Sequence, residues 1–288
     1  MISILINAYN EKETIVKAIE SFLNQETKEK YELVVSAPDS ETLSIASKYK
    51  QVRIFKDKGK GKSFAINQVL PSLKGRIIIL TDGDCYVNKN SINEILNKFE
   101  NSEVGCVSGK PVSINSRDNM FGFWSHLLVN SAHKLRERRY QKNQFLECSG
   151  YLWAFRNKIV KSFPIDVAED SIVPIFFWKK GYKIAYSSKA EVYVKYPDNL
   201  KDLLEQKRRT MQAHEKLSYY AGSFPKMKSF VNEIFYSYQT LLFVKNLREF
   251  AFLSLLLPIR LYSWFSAFYR KYSGKRFSDG WKRVESTK

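Results

Sequence analysis

The stretch from residue 2 to residue 84 restricts the fold more than any other part of the chain. Four apolar runs, ISILINAY (2–9), YELVVSA (31–37), VRIFKD (52–57) and RIIILTDGD (76–84), alternate with segments of helical spacing. Between the first two runs, EKETIVKAIESFLNQ sets Ile15, Ala18, Ile19 and Phe22 on one helix face. A helical stretch over 41–49 follows the second run, and GKGKSFAINQVLPSL reads as a loop entering a helix. Runs of Val, Ile and Leu without strict alternation belong to strands buried on both faces. The expectation is an α/β fold, a mostly parallel Rossmann-like sheet flanked by helices. Ligands of such sheets bind outside the carboxyl ends of the strands. NAYNE, SAPDS and TDGD all stand at those ends, so three polar clusters should meet on one edge.

Beyond Glu103 the pattern is mixed. VGCVSGKPVSI (104–114) reads as a fifth strand and 119–139 as a helix with a basic end. CSGYLWAFR is a short strand or a turn, and VAEDSIVPIFFWKKG opens a helix. KIAYSSKAEVYV is a strand, and NLKDLLEQKRRTMQAHEKL is an amphipathic helix. The expected division is a main domain over 1–222 and a basic, aromatic-rich helical tail over 223–288.

The tail includes FAFLSLLLPIRLYSWFSAFY, interrupted by Pro258 and Arg260. A spanning helix needs about 20 mostly apolar residues. An arginine at mid-membrane costs about 2.5 kcal/mol or more. The tail is therefore expected to be amphipathic and membrane-associating, lying in the interface with Lys245, Arg248, Arg260, Arg270 and Lys271 toward headgroups. A helical pair packed on the domain core is the other reading. The formal charge of +18, more than half of it after residue 200, calls for an anionic partner. Cys85, Cys106 and Cys148 form no CxxC pair, which argues against a disulfide framework or zinc site and fits a reducing cytosolic setting. MISILINAYNEKE reads as a strand, not as a signal peptide.

Asp82 and Asp84 end the fourth strand. A D-x-D at a strand tip offers two hard oxygen ligands near one point. Mg²⁺ or Mn²⁺ shares itself between such carboxylates and a substrate's phosphates. Alone, the motif is also a common turn. Its companions decide the matter: NAYNE, an Asp in SAPDS, GKGKSFAIN, TDGD, VAED near 170 and QKRRT near 208, in that order. With these the chain, from about Ile2 to Met211, resembles the family-2 inverting glycosyltransferases of the GT-A fold. It is most similar to the group with an E-D pair and a Q-x-x-R-W motif, which includes cellulose, chitin and hyaluronan synthases. Thr210 stands where that group has Trp, which weakens the case for processive polymer synthesis.

The resemblance implies the following roles. Ala8, Tyr9 and Glu11 line the base and ribose pocket, and Asp39 holds base or ribose. Lys62 approaches the nucleotide or its diphosphate. Asp82 contacts the sugar or ribose side and shares the metal, and Asp84 is the principal metal ligand. Asp170 is the general base, and Gln206 and Arg209 brace diphosphate or acceptor. Plainer readings exist beside these. Tyr9 could belong to a strand-exit turn, and Asp39 could be a helix cap. Lys62 could be solvated, and Asp170 could be a dipole-favoured acid in a helix's first turn. Gln206 and Arg209 share one helix face, which could simply be solvated and basic. His214 stays outside the expected metal set.

The implied reaction is metal-dependent transfer of a hexosyl or N-acetylhexosaminyl group. The donor would be a nucleotide-diphosphate sugar, with UDP-sugar the first expectation. The acceptor would be a hydroxyl on a lipid-linked or other saccharide at the cytoplasmic face of the cell membrane, with the enzyme peripheral or monotopic. A phosphate acceptor, as for a polyprenyl-phosphate glycosyltransferase, is already an anion and needs no base. VAED and QKRR favour the hydroxyl. A sugar-nucleotide pyrophosphorylase would need glycines after the first strand, where NAYNEKE has none. A nucleic-acid-binding protein would show a groove-reading motif or a solvated aromatic platform. No nucleic-acid partner is expected.

Overall fold

The computed structural model describes residues 1–224, 227, 240–272 and 285–287. An eight-stranded mixed sheet runs through the molecule. Its strands are β1 (Ile2–Asn7), β2 (Tyr31–Ala37), β3 (Val52–Lys56), β4 (Ile77–Asp82), β5 (Tyr86–Val87), β6 (Val104–Ser113), β7 (Leu152–Arg156) and β8 (Lys183–Val194). They lie in the order β3-β2-β1-β4-β7-β6-β8-β5. The strands β1 to β4 are mutually parallel, as their apolar runs imply. β7 then enters antiparallel to both β4 and β6, and β5 pairs antiparallel with β8. A strand's sequence reports its burial but not its direction, so the two antiparallel members are a finding of the structure.

All six residues of β1 are buried because both faces are covered. Ile4 and Ile6 pack on α1 (Ile15–Leu23) and α4 (Ser91–Phe99), through Ile19, Phe22, Ile92 and Ile95. Leu5 and its neighbour Leu80 face α3 (Lys62–Val69) and α6 (Glu169–Lys179), through Ile66, Val69, Ile172 and Ile175. Successive side chains of a strand point to opposite faces, so one short run feeds two cores. A third cluster joins Phe123, Trp124 and Leu127 of α5 (Met120–Gln141) to Leu203 of α7 (Leu200–Glu215). Leu253 and Leu256 of the C-terminal helix α9 (Leu247–Tyr272) complete it. The short helices α2 (Ser40–Ala46) and α8 (Leu217–Ala221) finish the helical set used below.

The described part of the tail is pinned to the domain. Arg117 forms a two-pronged ion pair with Glu249, at 2.7 and 2.9 Å, and also bonds the Phe243 carbonyl. Trp124 Nε1 donates to the Phe252 carbonyl at 2.6 Å. Residues 225–226, 228–239, 273–284 and 288 of the expected 223–288 tail lie outside the described residues. No helix among the described residues is long and apolar enough to cross a membrane. The three cysteines are buried free thiols.

Candidate active site

The parallel strands end level. Asn7 pairs in register with Ser36 of β2 and Asp82 of β4, so the polar residues that follow each strand share one edge. The chain leaving β1 is held there by its neighbours. The Asn10 amide donates to Asp39 Oδ2 at 2.9 Å, and the Glu11 amide donates to Thr42 Oγ1 at 3.0 Å. Asn10 adopts a left-handed φ of 54°, which Asn tolerates better than most residues. Asp39 caps α2, its Oδ1 accepting from the Thr42 amide at 2.8 Å. Burial opposes its ionisation, but these hydrogen bonds prevail and hold its carboxyl below the usual range. The helix-cap geometry and the place at the strand edge therefore coexist at Asp39. Buried Ala8 and Glu11 face the turn that carries the D-x-D. A Cβ at Gly83 would lie 2.7 Å from Ala8 Cβ and 3.2 Å from Glu11 Cγ, so only glycine lets the two turns meet.

Lys62 opens α3 and reaches across the edge. Its Nζ lies 2.6 Å from Asp82 Oδ1, 2.9 Å from Glu169 Oε1 and 3.1 Å from the Gly150 carbonyl. Burial alone would lower the Lys62 ammonium's pKa, but Asp82 and Glu169 outweigh it and keep this lysine charged. Burial pushes the Asp82 carboxyl up to about 7, against the pull of Lys62, and Asp84 adds to the rise. Lys62 is therefore tied to carboxylates and is not the solvated lysine of the plainer reading.

Oxygens of Asp82 and Asp84 and the sulfur of Cys85 lie within 4.8 Å of one another. The Cys85 thiol is buried, 3.4 Å from Asp84 Oδ1, and burial raises its pKa well above the ordinary value. A protonated thiol is a poor ligand for a hard cation, whereas the two carboxylates suit Mn²⁺ or Mg²⁺. The donor set fits such an ion at Asp84, with Asp82 beside it. Asn7 adds a second sign that polar chemistry belongs here. It is 2% exposed, and neither atom of its side-chain amide has a hydrogen-bond partner among the described residues. Its register with Asp82 sets both on the same face of the sheet. A buried orphan of this kind costs about 1–3 kcal/mol, which a polar ligand would relieve. The sequence carries the residue in NAYNE but holds no sign that its amide would be unpaired.

The E-D pair divides its work. Glu169 is buried and serves Lys62, and Asp170 is half-buried in the first turn of α6. A Cβ at Gly150 would stand 3.2 Å from Asp170 Oδ2 and 3.7 Å from Lys62 Nζ, so this glycine lies against both the base candidate and the ion-pair cluster. Tyr151 and Tyr196 pack edge to face at 5.9 Å, and Gln206 Nε2 lies 3.5 Å from the Tyr151 hydroxyl. That contact brings α7 to the site. Arg209 lies on the same helix and is exposed. Tyr9 is half-buried on the β1 exit turn. His126 bonds the Asn115 carbonyl and His133 the Tyr186 hydroxyl, both away from this edge.

Comparison with known proteins follows the same outline. Curated relatives include the poly-beta-1,6-N-acetyl-D-glucosamine synthase of Staphylococcus epidermidis, 24% identical over 230 residues, which are 75% of this chain and 55% of that protein. The beta-monoglucosyldiacylglycerol synthase of Trichormus variabilis is 28% identical over 134 residues, 43% of this chain and 28% of that protein. The chain thus spans about a quarter to about half the length of these relatives. Among solved structures, the mannosyltransferase PcManGT from Pyrobaculum calidifontis, in complex with GDP-Man and Mn²⁺, superposes with a TM-score of 0.60 at 18% identity, covering 96% of this chain and 76% of that one. S. aureus TarS 1–349 in complex with UDP-GlcNAc gives 0.53 at 19% identity, covering 77% and 68%. These likenesses agree on the GT-A fold. The family model for glycosyl transferase family 2 matches residues 3–163, the stretch that holds the β1 exit, Lys62, the D-x-D and Gly150, and the chain belongs to that family.

Proposed function

We propose that this glycosyltransferase is an inverting, divalent-metal-dependent enzyme that moves a hexosyl or N-acetylhexosaminyl group from a nucleotide-diphosphate sugar to a saccharide hydroxyl held at a membrane. The observation that carries the proposal is the level ending of β1, β2 and β4, which sets Asp82 and Asp84 beside the β1 exit turn. Relatives named for glycolipid and polysaccharide synthesis support the acceptor class. Neighbours solved with GDP-Man and with UDP-GlcNAc support the donor class.

In this reading the turn at Ala8, Tyr9 and Glu11, with Asp39, receives base and ribose. Asp84 and Asp82 hold the cation. A bound Mn²⁺ or Mg²⁺ supplies Lewis-acid stabilisation of the departing diphosphate. Arg209 adds a cationic clamp, and Gln206 steadies α7 against Tyr151. Asp170 takes the proton of the attacking hydroxyl while that oxygen displaces the nucleotide from the anomeric carbon. One displacement inverts the configuration. A half-buried carboxylate at the acceptor side is useful to a hydroxyl and superfluous to a phosphate, which favours the hydroxyl over a polyprenyl phosphate.

The test is a thermal-shift panel of UDP-, GDP- and dTDP-sugars with and without Mn²⁺. A donor at a hundredfold excess over its dissociation constant should raise stability by about 2.7 kcal/mol. Asp84→Asn should remove the Mn²⁺-dependent part of that rise. If no nucleotide sugar raises the melting temperature with Mn²⁺, the donor assignment is wrong.

The membrane part of the proposal rests on α9. One face packs through Leu253 and Leu256, and the opposite side presents Leu247 at 88% exposure and Phe265 at 68%, with Phe250, Leu257 and Leu261 between them. Such a run of exposed apolar side chains on a helix with basic residues at Arg248 and Arg260 suits a headgroup–acyl boundary. The expected result is flotation of the full chain with anionic liposomes, sharply reduced by Leu257→Glu with Leu261→Glu. Flotation unchanged by that pair would refute α9 as the contact.

A further inference from the structure

A buried polar cluster lies behind the site, where three helices and a loop meet. Glu147 is 2% exposed, an unusual place for a carboxylate without a partner. Its backbone is held by buried Arg136 of α5, whose Nε donates to the Glu147 carbonyl at 3.0 Å. The next residue is zipped to α6, with the Cys148 amide donating to the Asp170 carbonyl at 3.1 Å. The Glu147 side chain then reaches two elements. Its Oε2 accepts from Ser171 Oγ at 3.1 Å and lies 3.1 Å from His214 Nε2. Ser171 Oγ is itself 3.0 Å from His214 Nε2. The other ring nitrogen, Nδ1, lies 2.6 Å from the Thr210 carbonyl one turn back on α7. Both ring nitrogens are therefore engaged, and the ring cannot turn without losing a buried partner.

Ser171 directly follows Asp170. Gln206 and Arg209 lie on α7 one to two turns before His214. We propose that His214, closed on Glu147 and Ser171, is a positioning residue that fixes α7 to the first turn of α6, so that Gln206 and Arg209 are set against Asp170. This assignment rests on the roles given to those three residues above. The cluster accounts for both ring nitrogens of the histidine on the helix that carries Gln206 and Arg209. It is a second anchor for α7, beside the Gln206–Tyr151 contact. An adjacent, half-buried ion pair, Lys216 with Asp166, joins the end of α7 to the segment preceding α6.

The test has two readouts on the full chain. Hydrogen exchange should show His214→Ala losing protection at least tenfold across 200–215 and over the first turn of α6, with β1 and β4 unchanged. His214→Gln, whose amide can still donate to Glu147, should keep that protection. Turnover of UDP-GlcNAc or GDP-Man with Mn²⁺, read as nucleotide release, should fall at least tenfold in His214→Ala at a donor KM within twofold of wild type, and His214→Gln should restore it. Unchanged protection of α7 in His214→Ala overturns the proposal whatever the activity. Lost protection with full turnover also overturns it, provided Asp170→Asn and Arg209→Ala impair turnover. If those two variants turn over normally, the roles assigned to Asp170 and Arg209 have failed instead, and the exchange result still decides whether the tether exists.

Discussion

Asp170→Asn is expected to cut sugar transfer by roughly 10²- to 10⁴-fold, the usual worth of a positioned general base. Mn²⁺-dependent binding of the donor should persist, because Asp84 and the β1 exit turn are untouched. The fold should persist as well. An acid in a helix's first turn contributes only about 0.3–1 kcal/mol through the helix dipole. Asp170 makes no ion pair among the described residues, whereas neighbouring Glu169 is bound to Lys62. The two acids should therefore separate cleanly under mutation. Asp170→Asn removes chemistry and spares stability, and Glu169→Gln chiefly removes stability. Wild-type transfer by Asp170→Asn would mean that another group takes the proton.

Lys62→Met is expected to lower the unfolding free energy by about 3–5 kcal/mol, as measured by urea denaturation. The side chains of Lys62, Asp82 and Glu169 are 16%, 24% and 8% exposed, so water screens this cluster poorly. Removing the ammonium leaves Asp82, Asp84 and Glu169 as neighbouring acids with no cation between them. The isostere costs little volume, so the loss is electrostatic. Adding Glu169→Gln to Lys62→Met should recover part of the stability, since one uncompensated charge then disappears. A single variant within about 0.5 kcal/mol of wild type, the range of ordinary surface changes, would show that solvent already screens the cluster.

Much of the main-domain architecture was legible before any coordinates. Continuous Val/Ile/Leu runs marked β1, β2 and β4, and KIAYSSKAEVYV coincides with β8. Helical spacing found α1 and α7 within a few residues of their observed ends. These features are local: burial on both faces of a strand, or on one face of a helix, is written into a single window of residues. The meeting of NAYNE, SAPDS and TDGD was legible for a related reason. Parallel strands with helical crossovers must all end on one side, so residues after each strand are neighbours by construction. The two-residue β5 was not legible, since Tyr86–Val87 is too short to carry a period. Nor was the direction of β7, which depends on the path of the chain between β6 and β7.

The sequence by itself determined which residue types stand at the strand tips, and with them the expectation of a divalent cation and a phosphorylated donor. Only the tertiary structure decided how those residues are paired. It placed Lys62 between Asp82 and Glu169, left the Asn7 amide without a partner among the described residues and closed His214 on Glu147. Such pairings join residues far apart in the chain through a few ångströms of space. No periodicity records them, because each partner alone would look like an ordinary charged or polar side chain.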